Sequence, residues 1–238
     1  MKIIEKIAKR AQDATNPRPT IAFLGDSVTE GCFELIPKNS EGFNNVYDGE
    51  SVYHKKVAEI FKVLFPTVLL DIVNAGAAGT GAAYGLERLE RDVLSKNPDL
   101  TVVCFGLNDC GKEEAGLSEY VESLRGIFRR LKEAGSEVVF MTPCMLAAKV
   151  SETIHPSFIE LAEKLAARQE RGVLDRYMDA AKALCEEENV PVCDTYAKWK
   201  RMAELGVDTT ELLSNKLNHP IREMHNLFAY SLVETMMR

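Results

Sequence analysis

The chain has 238 residues, of which 46% are hydrophobic and 27% are charged, the proportions of a globular protein. Its net charge of −7 argues against nucleic acid as a partner, because phosphate binding needs a basic surface. No apolar tract reaches the length of about 18 residues that a transmembrane helix needs, so no membrane partner is expected.

The first residues predict a short amphipathic helix and no secretory signal. Ile3, Ile4, Ile7 and Ala8 recur at helical spacing, and charged residues interrupt every apolar stretch. The six cysteines form no CxxC pair or metal-like cluster, and several lie inside apolar runs, as is typical of buried free thiols. We therefore predict a cytoplasmic location and neither a metal nor another cofactor.

Strands and helices are predicted to alternate along the chain. Apolar runs without alternation, typical of strands covered on both faces, are Ile21–Leu24, Leu69–Val73, Thr101–Phe105, Glu137–Met141 and Val190–Cys193. Helical spacing of apolar residues occurs in Val52–Phe65, Tyr84–Ser95, Leu117–Ala134, Met178–Asn189 and Asn226–Met237. This alternation predicts the α/β class with a mainly parallel five-stranded sheet. Residues 1–238 contain no repeat or linker and are predicted to form one domain, with 1–19 as the N-terminal helix and lead-in.

Two segments are longer than a strand-helix connection requires. Cys32–Glu50 is predicted to be a long polar loop, and Pro143–Arg176 to contain a loop and a helix. Both follow the predicted carboxyl ends of strands, where open α/β sheets bind ligands. We therefore interpret both segments as substrate-recognition elements.

Gly25-Asp26-Ser27 directly follows the first predicted strand. A serine at this point is held at the rim of the sheet, where its hydroxyl can meet a substrate and its N–H can face an oxyanion. Asp26, next to this candidate nucleophile, is interpreted as a supporting residue that fixes the turn through backbone hydrogen bonds.

The next two predicted strands also end in residues that can bind a ligand. The second ends in the glycine-rich segment 74–81, which fits neither a Walker loop nor GxGxxG and can be a tightly packed turn or a set of N–H donors. The third ends in Asn108, which can cap a helix or donate its amide to an oxyanion.

A serine nucleophile needs a base, and the chain has four histidines. His54 lies in a predicted helix, and His155 in the long segment 143–176. His219 precedes a proline suited to the first position of the last helix, so we expect it on a loop and exposed enough to titrate. His225 is expected about two turns into that helix, in a packing or supporting role.

These blocks, in this order, resemble the SGNH hydrolases, also called GDSL-type esterases and lipases. Gly25 through Gly31 match the first block, with Val28 where Leu or Ile is usual, and Asn74 through Thr80 match the second. Gly106-Leu107-Asn108-Asp109 match the third, and His219-Pro220 anchor the fourth, with His225 where the family often has a Gly-His step. The resemblance spans residues 20–238.

The resemblance implies a three-layer α/β/α sandwich of flavodoxin-like type and ester hydrolysis through an acyl-serine. Ser27 is then the nucleophile, His219 the base, and the Ser27 N–H, the Gly79 N–H and the Asn108 amide the oxyanion hole. The family usually places an aspartate three residues before the base, where this chain has Lys216. Lysine cannot accept the imidazole N–H. The alternatives are Asn215, Glu211, Asp208 or a backbone carbonyl in a Ser-His dyad, so the triad acid stays unassigned.

Three functions follow as hypotheses. The favoured one is a serine esterase acting on small O-acyl esters, with O-acetyl groups and carbohydrates as the preferred classes by family analogy. The second is a lysophospholipase or thioesterase, which needs an apolar groove for a longer acyl chain. The third is a weakly active or non-catalytic binding protein, because Lys216 replaces the usual acid. The predicted partner is a small-molecule ester, and the sequence leaves the oligomeric state open.

Overall fold

The strands of the molecule form a parallel sheet and a separate hairpin. The computed structural model describes residues 1–38 and 42–238. In chain order its strands are β1 (Thr20–Gly25), β2 (Cys32–Pro37), β3 (Phe43–Tyr47), β4 (Asp71–Gly76), β5 (Leu100–Cys104), β6 (Glu137–Met141) and β7 (Val192–Cys193). The main sheet has the order β4-β1-β5-β6-β7, and each neighbouring pair is parallel. The predicted mainly parallel five-stranded sheet is therefore confirmed.

Helices cover both faces of this sheet. They are α1 (Lys2–Gln12), α2 (Ser27–Glu30), α3 (Tyr53–Leu64), α4 (Ala82–Glu87), α5 (Leu89–Asp92), α6 (Glu113–Glu133), α7 (Ile159–Glu170), α8 (Val173–Glu187), α9 (Thr195–Glu204) and α10 (His225–Met237). One group, α1, α3, α9 and α10, packs together through α10, and a second group consists of α4, α6, α7 and α8. The result is the three-layer α/β/α sandwich.

Burial follows the pattern that the apolar runs predict. All five residues of β5 are buried, as are Ile21 through Leu24 of β1. The amphipathic N-terminal helix is present, and it buries Ile3 and Ile7. All six cysteines are free and buried, whereas the sequence predicted this only for those inside apolar runs. Of the helices in the described part of the chain, none is long and apolar enough to span a bilayer.

Several predicted boundaries are wrong. The segment Cys32–Glu50 is not a loop throughout, because β2 and β3 pair antiparallel within it; its residues 39–41, including Asn39, lie outside the described residues. The predicted helix Tyr84–Ser95 is divided into α4, α5 and a 3₁₀ turn at Leu94–Lys96. The chain bends at Arg88, whose buried guanidinium donates to the Gly25 carbonyl at 2.9 Å.

The edge strands and α9 show where the apolar pattern misleads. β4 begins at Asp71 rather than at Leu69, which is 62% exposed. β7 is reduced to two residues. Helix α9 has no counterpart in the sequence prediction, because it buries only three of its residues and its other residues are mostly polar. Asp194 caps this helix by accepting the Ala197 N–H at 3.0 Å.

Candidate active site

Ser27 lies at the point where β1 gives way to α2. Asp26 is the N-cap of α2, and its carboxylate accepts the Val28 N–H at 3.0 Å, the kind of backbone hydrogen bond expected for it. Gly25 is required by close packing, since a Cβ there would lie 2.0 Å from Thr29 Oγ1. Ser27 is the first residue of α2, so its N–H has no acceptor within the helix.

Gly79 and Asn108 flank Ser27 because β4 and β5 flank β1 in the sheet. Gly79 has a left-handed φ of +73°, and a Cβ there would meet no atom within 4 Å, so the backbone at this residue faces open space. The Asn108 amide donates one hydrogen to the Thr80 carbonyl at 2.9 Å, which leaves its second N–H free to donate. Three potential donors therefore lie around one serine.

Hydrogen bonds on both sides of Gly79 hold this loop in place. Before it, the Ala78 N–H donates to the Glu30 carboxylate on α2 at 2.6 Å. After it, the Thr80 carbonyl accepts from Asn108, and the Ala82 N–H donates to Asp109 at 2.8 Å. The loop is thus tied to the helix that begins at the serine and to the end of β5.

His219 contacts Ser27 directly. Its Nε2 lies 2.9 Å from Ser27 Oγ, and its Nδ1 lies 3.0 Å from the backbone carbonyl of Phe33. A carbonyl only accepts, so Nδ1 carries the hydrogen and Nε2 presents its lone pair to the serine hydroxyl. This is the tautomer that a general base for Ser27 requires.

The loop that carries His219 is built around Asn215. The side-chain oxygen of Asn215 accepts three backbone N–H groups, those of Leu217, Asn218 and His219, each at 3.0 Å. The loop is closed where Ser214 N–H donates to the His219 carbonyl at 2.7 Å. Asn215 therefore shapes the loop and does not contact the imidazole.

The carboxylates considered as triad acids point elsewhere. Glu211 pairs with Lys216 at 2.8 Å, and Asp208 pairs with Lys149 at 2.6 Å. Lys216 adopts a left-handed φ of 58°. Of the alternatives left open by the sequence, the one that lies next to His219 Nδ1 is a backbone carbonyl, that of Phe33.

The residue that supplies this carbonyl is itself fixed. The Phe33 ring contacts both the Arg222 guanidinium, 4.3 Å from the ring centroid, and the His225 ring, with 4.9 Å between the ring centroids. Arg222 in turn pairs with Glu34 at 2.6 Å and with Asp48 at 2.8 Å. This cluster holds β2 against the segment that follows His219.

Burial changes the charge state of the site. His219 is only 5% exposed, contrary to the expected exposure, because both of its ring nitrogens contact protein atoms. That burial lowers its pKa to about 4, so the imidazole is neutral at pH 7. Burial also raises the pKa of Asp26 to about 7 and raises the pKa of Asp109.

In the described part of the chain, the other three histidines form no hydrogen bond to Ser27. His225 is the first residue of α10, not two turns inside it, because a 3₁₀ turn at Arg222–Met224 precedes the helix. Its Nδ1 accepts the Tyr53 N–H at 3.0 Å, which joins α10 to the start of α3 in a supporting role. His54 is buried in α3, and His155 is exposed and caps a 3₁₀ turn.

Ser27 and His219 open into a cavity of about 440 Å³. This volume is at the lower end of the range of about 300–1,000 Å³ found for small-molecule sites. Its polar wall consists of Ser27, Gly79, Asn108, Asn218, His219, Asn45 and Arg168. Its large apolar side chains are Leu35, Phe43, Leu107, Leu161, Leu165 and Leu217, and Ala78 and Gly111 complete the lining. Both segments interpreted as recognition elements thus reach the cavity. Within the described residues, no His, Cys, Asp and Glu group has the arrangement of a metal site.

Residues 23–227 match the family model of the GDSL-like lipase/acylhydrolase family. The chain belongs to the GDSL-like lipase/acylhydrolase family. The predicted membership is therefore confirmed, and with it the predicted class, carboxylic ester hydrolase.

Relatives of this GDSL-family chain include esterases. An acetylxylan esterase of Geobacillus stearothermophilus is 23% identical over 191 residues, which cover 76% of this chain and 78% of the relative. A crystal structure of that organism's acetylxylan esterase Axe2 has a TM-score of 0.68 at 22% identity and covers 92% and 94% of the two chains. A two-domain esterase active on acetylated mannans has a TM-score of 0.69 at 21% identity, covering 99% of this chain and 52% of that protein. These structures share the fold.

Two residues of this GDSL-family site are not identified by the sequence. A backbone carbonyl is among the predicted alternatives for the partner of His219, but no residue type signals that Phe33 supplies it. Arg168 lies in the long segment 143–176 and belongs to no motif. Its only signal is its place three residues after Leu165 and seven after Leu161, which puts the three on one helix face.

Proposed function

We propose that this protein is a serine esterase that hydrolyses small acetyl esters, with acetylated carbohydrates as the substrate class. The observation that carries the proposal is the contact of 2.9 Å between His219 Nε2 and Ser27 Oγ, beside the donors of Gly79 and Asn108. Nucleophile, base and candidate oxyanion donors thus meet at the mouth of one cavity.

In the proposed mechanism Ser27 Oγ attacks the ester carbonyl carbon while its proton passes to His219 Nε2. The carbonyl oxygen becomes an oxyanion, stabilised by the Ser27 and Gly79 N–H groups and the Asn108 amide. When the C–O bond breaks, the imidazolium returns its proton to the leaving alkoxide, and an acetyl-serine remains. Water then attacks the acetyl carbon while His219 accepts a proton from it. The imidazolium returns this proton to Ser27 Oγ as the acyl C–O bond breaks, which releases acetic acid and regenerates Ser27.

The Phe33 carbonyl takes the place of the usual acid in this mechanism. It accepts the Nδ1 hydrogen, so it selects the tautomer and aims the ring as a carboxylate would. It carries no full charge, so it stabilises the imidazolium less than an aspartate does. We therefore propose a Ser-His dyad with Asp26 as a structural support for the turn.

The choice of acetyl esters of carbohydrates is supported by the relatives, which are described as esterases of acetylated xylan and acetylated mannans. The polar wall of the cavity, with Asn45 and Asn218, offers partners for hydroxyl groups. The cytoplasmic location and the single domain over residues 1–238 remain part of the proposal.

A longer acyl chain is the second candidate, because six leucine and phenylalanine side chains line the same cavity. Rates on 4-nitrophenyl acetate and 4-nitrophenyl octanoate separate the two candidates. A higher kcat/KM for acetate supports the acetylesterase, and a clear preference for octanoate would replace it with the lysophospholipase or thioesterase.

The Ser27→Ala and His219→Ala variants test the mechanism. Each is expected to lower kcat on 4-nitrophenyl acetate by about 10⁴-fold or more, because nucleophile and base act as one unit. Ser123→Ala, a buried serine of α6 outside the cavity, and His155→Ala, an exposed histidine, are the matched controls. Equal activity of Ser27→Ala and the parent would show that Ser27 is not the nucleophile. An inactive parent on a panel of esters would favour a binding protein.

A further inference from the structure

The wall of the cavity next to Ser27 has an unusual distribution of charge. Among its described lining residues, Arg168 is the one side chain with a full charge at neutral pH, because the pKa of His219 is lowered to about 4 by burial. Leu161, Leu165 and Arg168 are spaced by four and three residues on α7, so they share one face of that helix. The guanidinium therefore lies next to the apolar wall that the two leucines form.

Arg168 is not neutralised by the protein as its neighbours are. Arg171 pairs with Glu113 at 2.6 Å, and Lys112, in an adjacent cavity, pairs with Glu119 at 2.5 Å. For Arg168, residues 1–38 and 42–238 supply no carboxylate partner. Its contact is with the Gly111 carbonyl, at 3.5 Å, and its Nε–H has no acceptor in this part of the chain.

A half-buried guanidinium without a carboxylate is a binding group for anions. Its planar N–H groups match a carboxylate or a phosphate, and such a charge-assisted pair is stronger than a neutral hydrogen bond. The cavity holds no negatively charged side chain among its described lining residues, so an anionic group placed there meets Arg168 without competition. The net charge of −7 disfavours the approach of an anionic substrate to most of the surface. The local positive charge of Arg168 therefore favours an anion at this position of the cavity.

We infer that Arg168 determines specificity by binding an anionic group on the alcohol portion of the ester. The inference rests on the proposed function and deepens it. Since an acetyl group carries no charge and has no further atoms to reach Arg168, the anion must belong to the alcohol. The substrate class is therefore an acetyl ester of a hydroxyl compound that bears a carboxylate or phosphate, such as an acidic sugar.

Arg168 has one structural role that must be separated from this one. It lies in the last turn of α7, where a cation stabilises the carbonyl end of a helix, and it contacts Gly111. A purely structural role would affect charged and uncharged esters equally, because it would act through the shape of the cavity. A recognition role changes the ratio between them.

The test uses matched aryl acetates that differ in charge on the alcohol. They are 3- and 4-acetoxybenzoate, the neutral 3- and 4-acetoxybenzamide, and 4-acetoxyphenyl phosphate, which separates phosphate from carboxylate recognition. For at least one positional isomer, Arg168→Gln is expected to lower the ratio of kcat/KM for the anionic to the neutral ester by about 10- to 100-fold, mainly through KM. Arg168→Lys is expected to recover part of this ratio.

The control is Arg171→Gln, which removes the same charge from the same region but from a guanidinium that Glu113 already pairs. It is expected to leave the ratio unchanged. The inference would be overturned if Arg168→Gln had the same ratio of kcat/KM, anionic to neutral ester, as the parent for every pair. It would also be overturned if the substitution lowered kcat/KM only for 4-nitrophenyl hydrogen succinate, whose charge is on the acyl side. In both cases Ser27-dependent hydrolysis of the neutral acetates would leave the proposed function standing. If the parent showed no Ser27-dependent hydrolysis of any ester, both the proposed function and the inference about Arg168 would be wrong.

Discussion

The rim that carries Ser27, Gly79 and Asn108 is held by the sheet, whereas the segment that carries His219 is shaped around one of its own side chains. Single hydrogen bonds tie that segment to the rest of the protein, among them the bond from the Ala147 N–H to the Leu217 carbonyl at 2.7 Å. On the rim, three neighbouring parallel strands end side by side, and Glu30, Asn108 and Asp109 link the loops that follow them. In the His219 segment, one side chain, Asn215, accepts three consecutive N–H groups, and the imidazole is aimed by a carbonyl from β2.

The two regions therefore respond differently to substitution. A change on the rim alters donors whose positions the whole sheet fixes, so it should reduce catalysis with little rearrangement. A change in the His219 segment acts on a loop whose shape depends on a few local contacts. Substitutions of each kind test this contrast.

The largest effect in this comparison is expected from Asn108→Ala. The substitution removes a side-chain donor from the candidate oxyanion hole and frees the Thr80 carbonyl from its partner. We expect kcat on 4-nitrophenyl acetate to fall by roughly 100- to 1,000-fold, with KM changed much less. Asn45→Ala is the matched control, because Asn45 lines the same cavity from the hairpin. A loss of less than threefold in Asn108→Ala would remove Asn108 from the oxyanion hole.

The pH dependence reports on the His219 segment. The base must be neutral, and burial lowers its pKa to about 4, so kcat/KM should stay level as pH falls from 7 to about 5 and then decline around pH 4. A histidine with the ordinary pKa of about 6.5 would leave about one-tenth of the activity at pH 5.5. A midpoint near 6.5 on 4-nitrophenyl acetate would contradict the desolvated environment of His219.

Stability should begin to fall at a higher pH than activity does. The pKa values of His54 and His219 are lowered to about 4 and that of His225 to about 3, all by burial. Below about pH 6.5 the unfolded chain takes up protons that the native state does not, so the stabilisation present above this pH is lost as pH falls towards 4. Circular dichroism in the same buffers separates unfolding from titration of the base.

The rim was accessible to prediction because its chemistry follows strand ends. β1 and β5 are continuous apolar runs. Ser27, two residues after β1, and Asn108, four residues after β5, could therefore be placed at one edge of the sheet. β6 was predicted with its observed limits, Glu137–Met141. The sheet edges were predicted less well, since β4 and β7 carry fewer buried residues.

The His219 segment was less accessible, because its partners come from contacts distant in sequence. Phe33 lies 186 residues from His219 and contributes a carbonyl, which every residue has. The strands of the β2–β3 hairpin are only half-buried, and their Asn and Pro residues resemble those of a loop. The burial of His219 results from these tertiary contacts, so its exposure could not be inferred from its position before Pro220.

The smallest effect is expected from Lys216→Asp, which restores the residue usual in the family. The Nδ1 hydrogen of His219 is already bound by the Phe33 carbonyl at 3.0 Å, and residue 216 points towards Glu211 instead. The new carboxylate would meet Glu211 rather than the imidazole, and aspartate tolerates the left-handed φ of 58°. We expect kcat to stay within about threefold and the free energy of unfolding to change by about 1 kcal/mol, as for ion pairs that are partly exposed to solvent.

Lys216→Asn is the matched control, since it has the shape of aspartate without the charge. If Lys216→Asp raised kcat about tenfold and moved the acid midpoint of kcat/KM above that of Lys216→Asn, the new carboxylate would have reached His219. This would mean that the loop can rearrange around Asn215. The site of the parent would then be a catalytic triad in which only the acid is missing. Equal kcat and equal midpoints in both variants would show that the Phe33 carbonyl orients the base and that the loop keeps position 216 away from it.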